Sequence, residues 1–64
     1  MSISIKAARV NAGLTQSEVA EHINKTKNTI VSYESYTTVP DIKTAQAMAE
    51  LFGMSIDDII WSKD

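Results

Sequence analysis

Three residues, Asn24-Lys25-Thr26, are all that separate two short amphipathic segments in the middle of this chain. If both segments are helices, a link this short forces the second to cross the first at a steep angle. The first of the pair opens on Thr15-Gln16-Ser17-Glu18, a capping box. In such a box the Thr15 hydroxyl accepts from the amide of Glu18, and the Glu18 carboxylate reaches back to the amide of Thr15. The helix then runs from Gln16 to Ile23 and presents Val19, Ala20 and Ile23 as its apolar side. Close crossing needs a small residue where two backbones approach, and Ala20 is one. The turn needs a residue that tolerates positive φ, and Asn24 is one. Thr26 caps the following helix, Lys27 to about Ser35. Ile30, Tyr33 and Glu34 share its inward face, while Lys27, Asn28, Val31, Ser32 and Ser35 share the other.

The flanking segments read as further helices. A first helix runs to about Ala12 with Ile5, Ala8, Arg9 and Ala12 on one face, and Gly13 supplies its left-handed stop. Residues 1–6 alternate as a strand would. No hairpin turn or partner follows them, so they are read as the entry to this helix. Beyond the loop Tyr36-Thr37-Thr38-Val39-Pro40, Asp41 caps a fourth helix carrying Ile42, Ala45, Met48, Ala49 and Phe52 at helical spacing, closed by Gly53. Ser55-Ile56-Asp57-Asp58 opens a fifth, with Ile56, Ile59 and Ile60 as its apolar residues. At 64 residues the chain holds one domain. The expectation is therefore a single all-α domain of five short helices over residues 1–64, with the crossed pair at about 16–35.

Composition closes off several functions. With no cysteine there is neither a disulfide framework nor a thiolate metal site. No apolar run approaches the roughly 20 residues of a membrane span, and no secretory h-region opens the chain. These absences point to a cytoplasmic domain with no membrane contact. His22 stands alone, with no second ligand at metal spacing, and reads as a surface residue. Met48 and Phe52 are core rather than a cofactor box. Asp57 and Asp58 are partners of a helix dipole. No nucleophile–base pair, phosphate loop or metal constellation is present, so the expectation is no enzyme, no cofactor and no metal. Net charge is −2, unusual for a partner of a polyanion. The acidity is uneven, however. Residues 1–40 hold Lys6, Arg9, Lys25 and Lys27 against Glu18, Glu21 and Glu34, a net +1. Residues 41–64 hold Lys43 and Lys63 against Asp41, Glu50, Asp57, Asp58 and Asp64, a net −3.

The outward face of the third helix matches the chemistry of base edges. Asparagine bonds adenine bidentately, lysine donates to guanine O6 or N7, serine serves either, and a small apolar group such as Val31 sits on a thymine methyl. The plain alternative is a solvated helix face, with Val31 half-buried. The starts of the second and third helices point backbone amides, with Gln16 and Lys27 beside them, toward where phosphates would lie.

Three stretches carry a family likeness. Ala12-Gly13-Leu14-Thr15-Gln16-Ser17-Glu18-Val19-Ala20 resembles the "GLTQxELA" run of the lambdoid phage repressor and Cro (XRE-type) helix-turn-helix family. Thr29-Ile30-Val31-Ser32-Tyr33-Glu34 resembles its "xISxxE" run, and Ala49 to Ile60 its closing "LAxxFGVSLDxLL". The resemblance implies a lambda-repressor-like fold that binds double-stranded operator DNA as a homodimer, with the third helix in the major groove. It implies Gln16 and Thr26 as phosphate contacts, Gln16 with access to a base edge, and Lys27, Asn28 and Ser32 as base readers. It also implies an Arg9–Glu34 charged pair joining the first helix to the third. The chain departs from the family where Asn24 and Tyr36 stand in place of usual glycines. The loop 36–41 also lacks the basic residues that often hold flanking phosphates, and only Lys43 follows. Fewer neutralised phosphates mean a shallower salt dependence. Trp61, in the region that often supplies the family's dimer contact, is expected to bury against a second copy. A transcriptional repressor or Cro-like regulator is the resulting expectation. The alternative is an antitoxin or other interaction module whose main partner is a protein, met through the acidic C-terminal region.

Overall fold

A computed structural model describes residues 2–63. Its elements are β1 (Ile3–Ser4), α1 (Ile5–Asn11), α2 (Gln16–His22), α3 (Lys27–Glu34), α4 (Ile42–Phe52), a single 3-10 turn (Ile56–Asp58) and β2 (Ile59–Ile60). Among the described residues two short strands thus join four helices, and a 3-10 turn stands where a fifth helix was expected. Ser55 caps the turn by accepting from the amide of Asp57, but Ile59 leaves it in extended conformation. Two β-branched residues in succession favour that state. They have a partner: β2 pairs in parallel with β1, Ile3 opposite Ile59 and Ser4 opposite Ile60. The alternation at residues 1–6 was therefore a genuine strand signal within Ile3–Ser4. Its partner lies more than fifty residues away, where no hairpin cue can announce it.

Each helix starts on a side-chain cap. Ser4 Oγ accepts from the amide of Ala7 at 3.0 Å. Thr15 and Glu18 form the full reciprocal box at 3.1 and 2.8 Å. Thr26 Oγ1 accepts from the amide of Thr29 at 3.3 Å, and Asp41 Oδ1 from that of Thr44 at 2.8 Å. All four helices also end alike. The amides of Leu14, Lys25, Thr37 and Met54 donate back to the carbonyls of Arg9, Ala20, Ser32 and Ala49. That bond requires a left-handed residue just before the donor, and Gly13, Asn24, Tyr36 and Gly53 have φ of +74°, +58°, +61° and +70°. Tyr36 therefore takes the conformation of the glycine it replaces. A bulky side chain there costs roughly 1–2 kcal/mol. Its ring packs against the core and its hydroxyl donates to the Ile60 carbonyl at 3.0 Å, which offsets that cost.

The core gathers Ile5 and Ala8 of α1, Val19 and Ala20 of α2, Ile30 and Tyr33 of α3, Met48, Ala49 and Phe52 of α4, and Ile59 of β2. Ala20 is buried at the α2–α3 crossing, as the three-residue link demands. Ile42 is not in the core. It sits 69% exposed in the first turn of α4, where the apolar stripe has not yet rotated onto the domain. Trp61 is half-buried against its own domain, and its indole N–H donates to the Ile56 carbonyl at 2.9 Å.

Candidate nucleic-acid interface

The orientation of α3 is fixed from beneath by one carboxylate. Glu34, at its last turn, receives the Arg9 guanidinium of α1 through Nε to Oε2, with Nη2 at 3.3 Å from Oε1. The two side chains are only 12% and 6% exposed. Arg9 Nη1 further donates to the Leu14 carbonyl at 2.8 Å, and Gln16 Nε2 of α2 donates to Glu34 Oε1 at 3.0 Å. One acid thereby ties three helices together, and every charged atom in the cluster has a partner. An inward ion pair so satisfied is retained because losing either half strands the other.

With Ile30, Tyr33 and Glu34 turned inward, the other side of α3 is presented to solvent. Lys27 and Asn28 are exposed, and among the described residues no hydrogen bond engages their side chains. Val31 lies between them and Ser32 with 42% of its surface exposed. Ser32 is half-buried. These four residues share one helical face. The other two predicted contacts have internal tasks. Thr26 Oγ1 is occupied by the amide of Thr29 and by the Thr29 hydroxyl at 3.0 Å. Half-buried Gln16 has one amide hydrogen committed to Glu34.

Two residues that the sequence reading leaves in a connecting loop stand beside that face. A shallow cavity of about 400 Å³ is lined by Asn28, Thr29, Ser32, Tyr33, Thr38 and Val39. The segment 36–40 reads in sequence as a bare loop without cations, and nothing local places Thr38 and Val39 next to α3. On the opposite side of the α2–α3 turn, Lys25 and Lys43 lie near Asp41. The Asp41 carboxyl is held below its ordinary range, first by its hydrogen bonds from the Thr44 hydroxyl and amide, then by these two cations. Glu18 is lowered likewise, chiefly by the amide and hydroxyl of Thr15. Both shifts belong to helix caps.

Two packed helices, a four-residue turn at 23–26 with Asn24 left-handed, and a second helix buried on one side and polar on the other define a helix-turn-helix domain. The comparison of sequences agrees. The Helix-turn-helix family model matches residues 5–59, and the chain belongs to that family. It is 36% identical over 59 residues to the cryptic phage CTXphi transcriptional repressor RstR of Vibrio cholerae, covering 92% of this chain and 53% of that protein. It is 36% identical over 56 residues to the HTH-type transcriptional regulator ImmR of Bacillus subtilis, covering 88% and 44%. An uncharacterized HTH-type transcriptional regulator of Methanocaldococcus jannaschii, MJ0272, is 31% identical over 64 residues, covering 100% and 97%. The chain thus spans about half the length of the first two relatives and nearly all of the third. No solved structure matches it significantly. Among the described residues, no helix is long and apolar enough to cross a membrane.

Proposed function

We propose that this chain is a sequence-specific, duplex-DNA-binding transcriptional regulator, a repressor or Cro-like protein, that reads its operator with α3 in the major groove. The observation that carries this reading is the uncommitted outer face of α3. Among the described residues nothing bonds the side chains of Lys27 and Asn28, Val31 is exposed, and Ser32 completes the row, on a helix locked to the domain by Glu34. Polar side chains on a rigid support are what base readout needs, because the ordering entropy is spent before the ligand arrives. Thr26 and Gln16 flank the row at the starts of α3 and α2, where backbone amides favour phosphate oxygens. Gln16 retains a second amide hydrogen for that contact while the first holds Glu34. The names of the matched relatives, regulators of transcription in all three cases, support the same reading.

The operator is proposed to be palindromic and bound by a two-fold dimer, with half-sites about 34 Å apart. The deciding experiment is selection of bound duplexes from a random pool, followed by sedimentation with and without the selected duplex. The expected result is an enriched motif, repeated as an inverted pair one helical turn apart and carrying two protein chains. A pool that shows no enrichment at low salt refutes DNA readout. An enriched but unrepeated motif bound by one chain refutes the dimer alone.

A further inference from the structure

The cavity beside α3 has a second wall that readout by the helix leaves unused. Its helix side carries the polar Asn28, Thr29 and Ser32 beside Tyr33, and its loop side Thr38 and Val39, the latter 57% exposed. The chain on either side of this valine is fastened. The amides of Thr37 and Thr38 both donate to the Ser32 carbonyl, at 2.9 and 3.4 Å, and Pro40 is buried. A residue before proline is confined to extended backbone, and a β-branched side chain has few rotamers. Val39 therefore presents two methyl groups to solvent from a stiff support, next to the groups assigned to base edges. The segment's lack of basic residues makes it a poor phosphate clamp, so its proximity to α3 calls for another explanation.

The apolar feature that a duplex displays in its major groove is the thymine 5-methyl group. Resting on the DNA-binding reading above, we propose that Val39 is a specificity-determining residue outside α3. It receives the 5-methyl of a thymine that neighbours the base read by Asn28 or Ser32. The recognition surface of the domain is then a helix and a loop wall rather than a helix alone, and the cavity between them is the seat for the methyl group.

The test uses the duplex selected from the random pool, with each thymine replaced singly by deoxyuridine. That change removes the methyl and leaves every hydrogen-bonding group in place. Wild-type affinity is measured first, then that of Val39→Ala and Val31→Ala. A thymine that meets Val31 is a separate position, which responds to Val31→Ala. At the thymine that meets Val39 in each half-site the wild type is expected to lose about fourfold in affinity, the worth of one buried methyl. Val39→Ala is expected to bind the thymine and deoxyuridine duplexes equally at that position, while Val31→Ala keeps the difference. Because Val39 is exposed, the variant is expected to melt with the wild type, and a matching circular-dichroism melt verifies its fold. The inference is overturned if Val39→Ala retains the wild-type response at every thymine, if Val31→Ala alone abolishes it, or if no thymine responds. A wild type that binds no duplex overturns the DNA-binding reading itself, an outcome visible before any variant is made.

Discussion

Replacing Glu34 by alanine removes the acceptor for two side chains at once. Arg9 keeps its bond to the Leu14 carbonyl but loses its counter-charge, in a site where its side chain is 12% exposed. Gln16 loses the partner of its amide. Stranding one half of a nearly buried ion pair costs roughly 3–5 kcal/mol. A domain of this size has a total stability of about 3–10 kcal/mol. The variant is therefore expected to lose a third or more of its stability, with Tm lowered by roughly 12 °C or more. Urea unfolding followed by circular dichroism reads the loss directly. The paired replacement Arg9→Met with Glu34→Leu is expected to recover most of it, because apolar side chains of similar size need no counter-charge. A Glu34→Ala domain within about 1 kcal/mol of wild type, the worth of an exposed pair, would refute the reasoning. So would a paired variant no more stable than the single one.

Other outcomes follow from the same geometry. Lys27→Ala is expected to relax preference at one operator position, whereas a loss about equal for all duplexes, with the slope of log affinity against log salt lowered by about 1, would contradict base readout and assign Lys27 to a phosphate. Asn28→Ala is expected to relax preference at one operator position at a cost of about 1–3 kcal/mol there, read by competition with single-base variants of the selected duplex; unchanged preference removes Asn28 from the readers. The carboxyls of Glu18 and Asp41 lie below their ordinary values of 4.5 and 3.8 in the folded chain. Their contribution is therefore present above those values and lost as pH falls through the lowered ones. Acid unfolding of Glu18→Gln/Asp41→Asn is expected to be less steep below pH 4.5 than that of wild type, and parallel curves would contradict this. Trp61→Phe removes the indole donor to Ile56 and is expected to lower stability by about 0.5–1.5 kcal/mol without changing the sedimentation profile; a shift toward smaller species would return Trp61 to an interface between copies.

Local chemistry made much of this fold legible. The Thr15–Glu18 box, the caps at Thr26 and Asp41, and the stops at Gly13, Asn24 and Gly53 each act over a few residues, and the chain spells them out. Helix faces followed from spacing, which put Ile30 and Tyr33 inside and Lys27 and Asn28 outside. Pairing over a distance was not legible. The β1–β2 ladder unites residues at opposite ends, and neither strand is long enough to declare itself. Ile59 and Ile60 therefore read as one more helical turn. The same limit governed the candidate site. Residues on α3 share a face by periodicity, but Val39 reaches that face through two amides bonded to Ser32, a tertiary fact. Gln16 illustrates a subtler gap. Its position beside a helix start was evident from the motif, whereas its bond to Glu34 depends on how three helices converge.

The ladder also governs the order in which this protein can complete itself. Ile3 and Ile59 pair with each other, so all four helix starts and stops are synthesised before the strand that closes the ladder. Ile5 and Ala8 lack the packing of Ile59 until β2 is made. Removing β1 leaves β2 without its partner, and removing β2 does the same to β1.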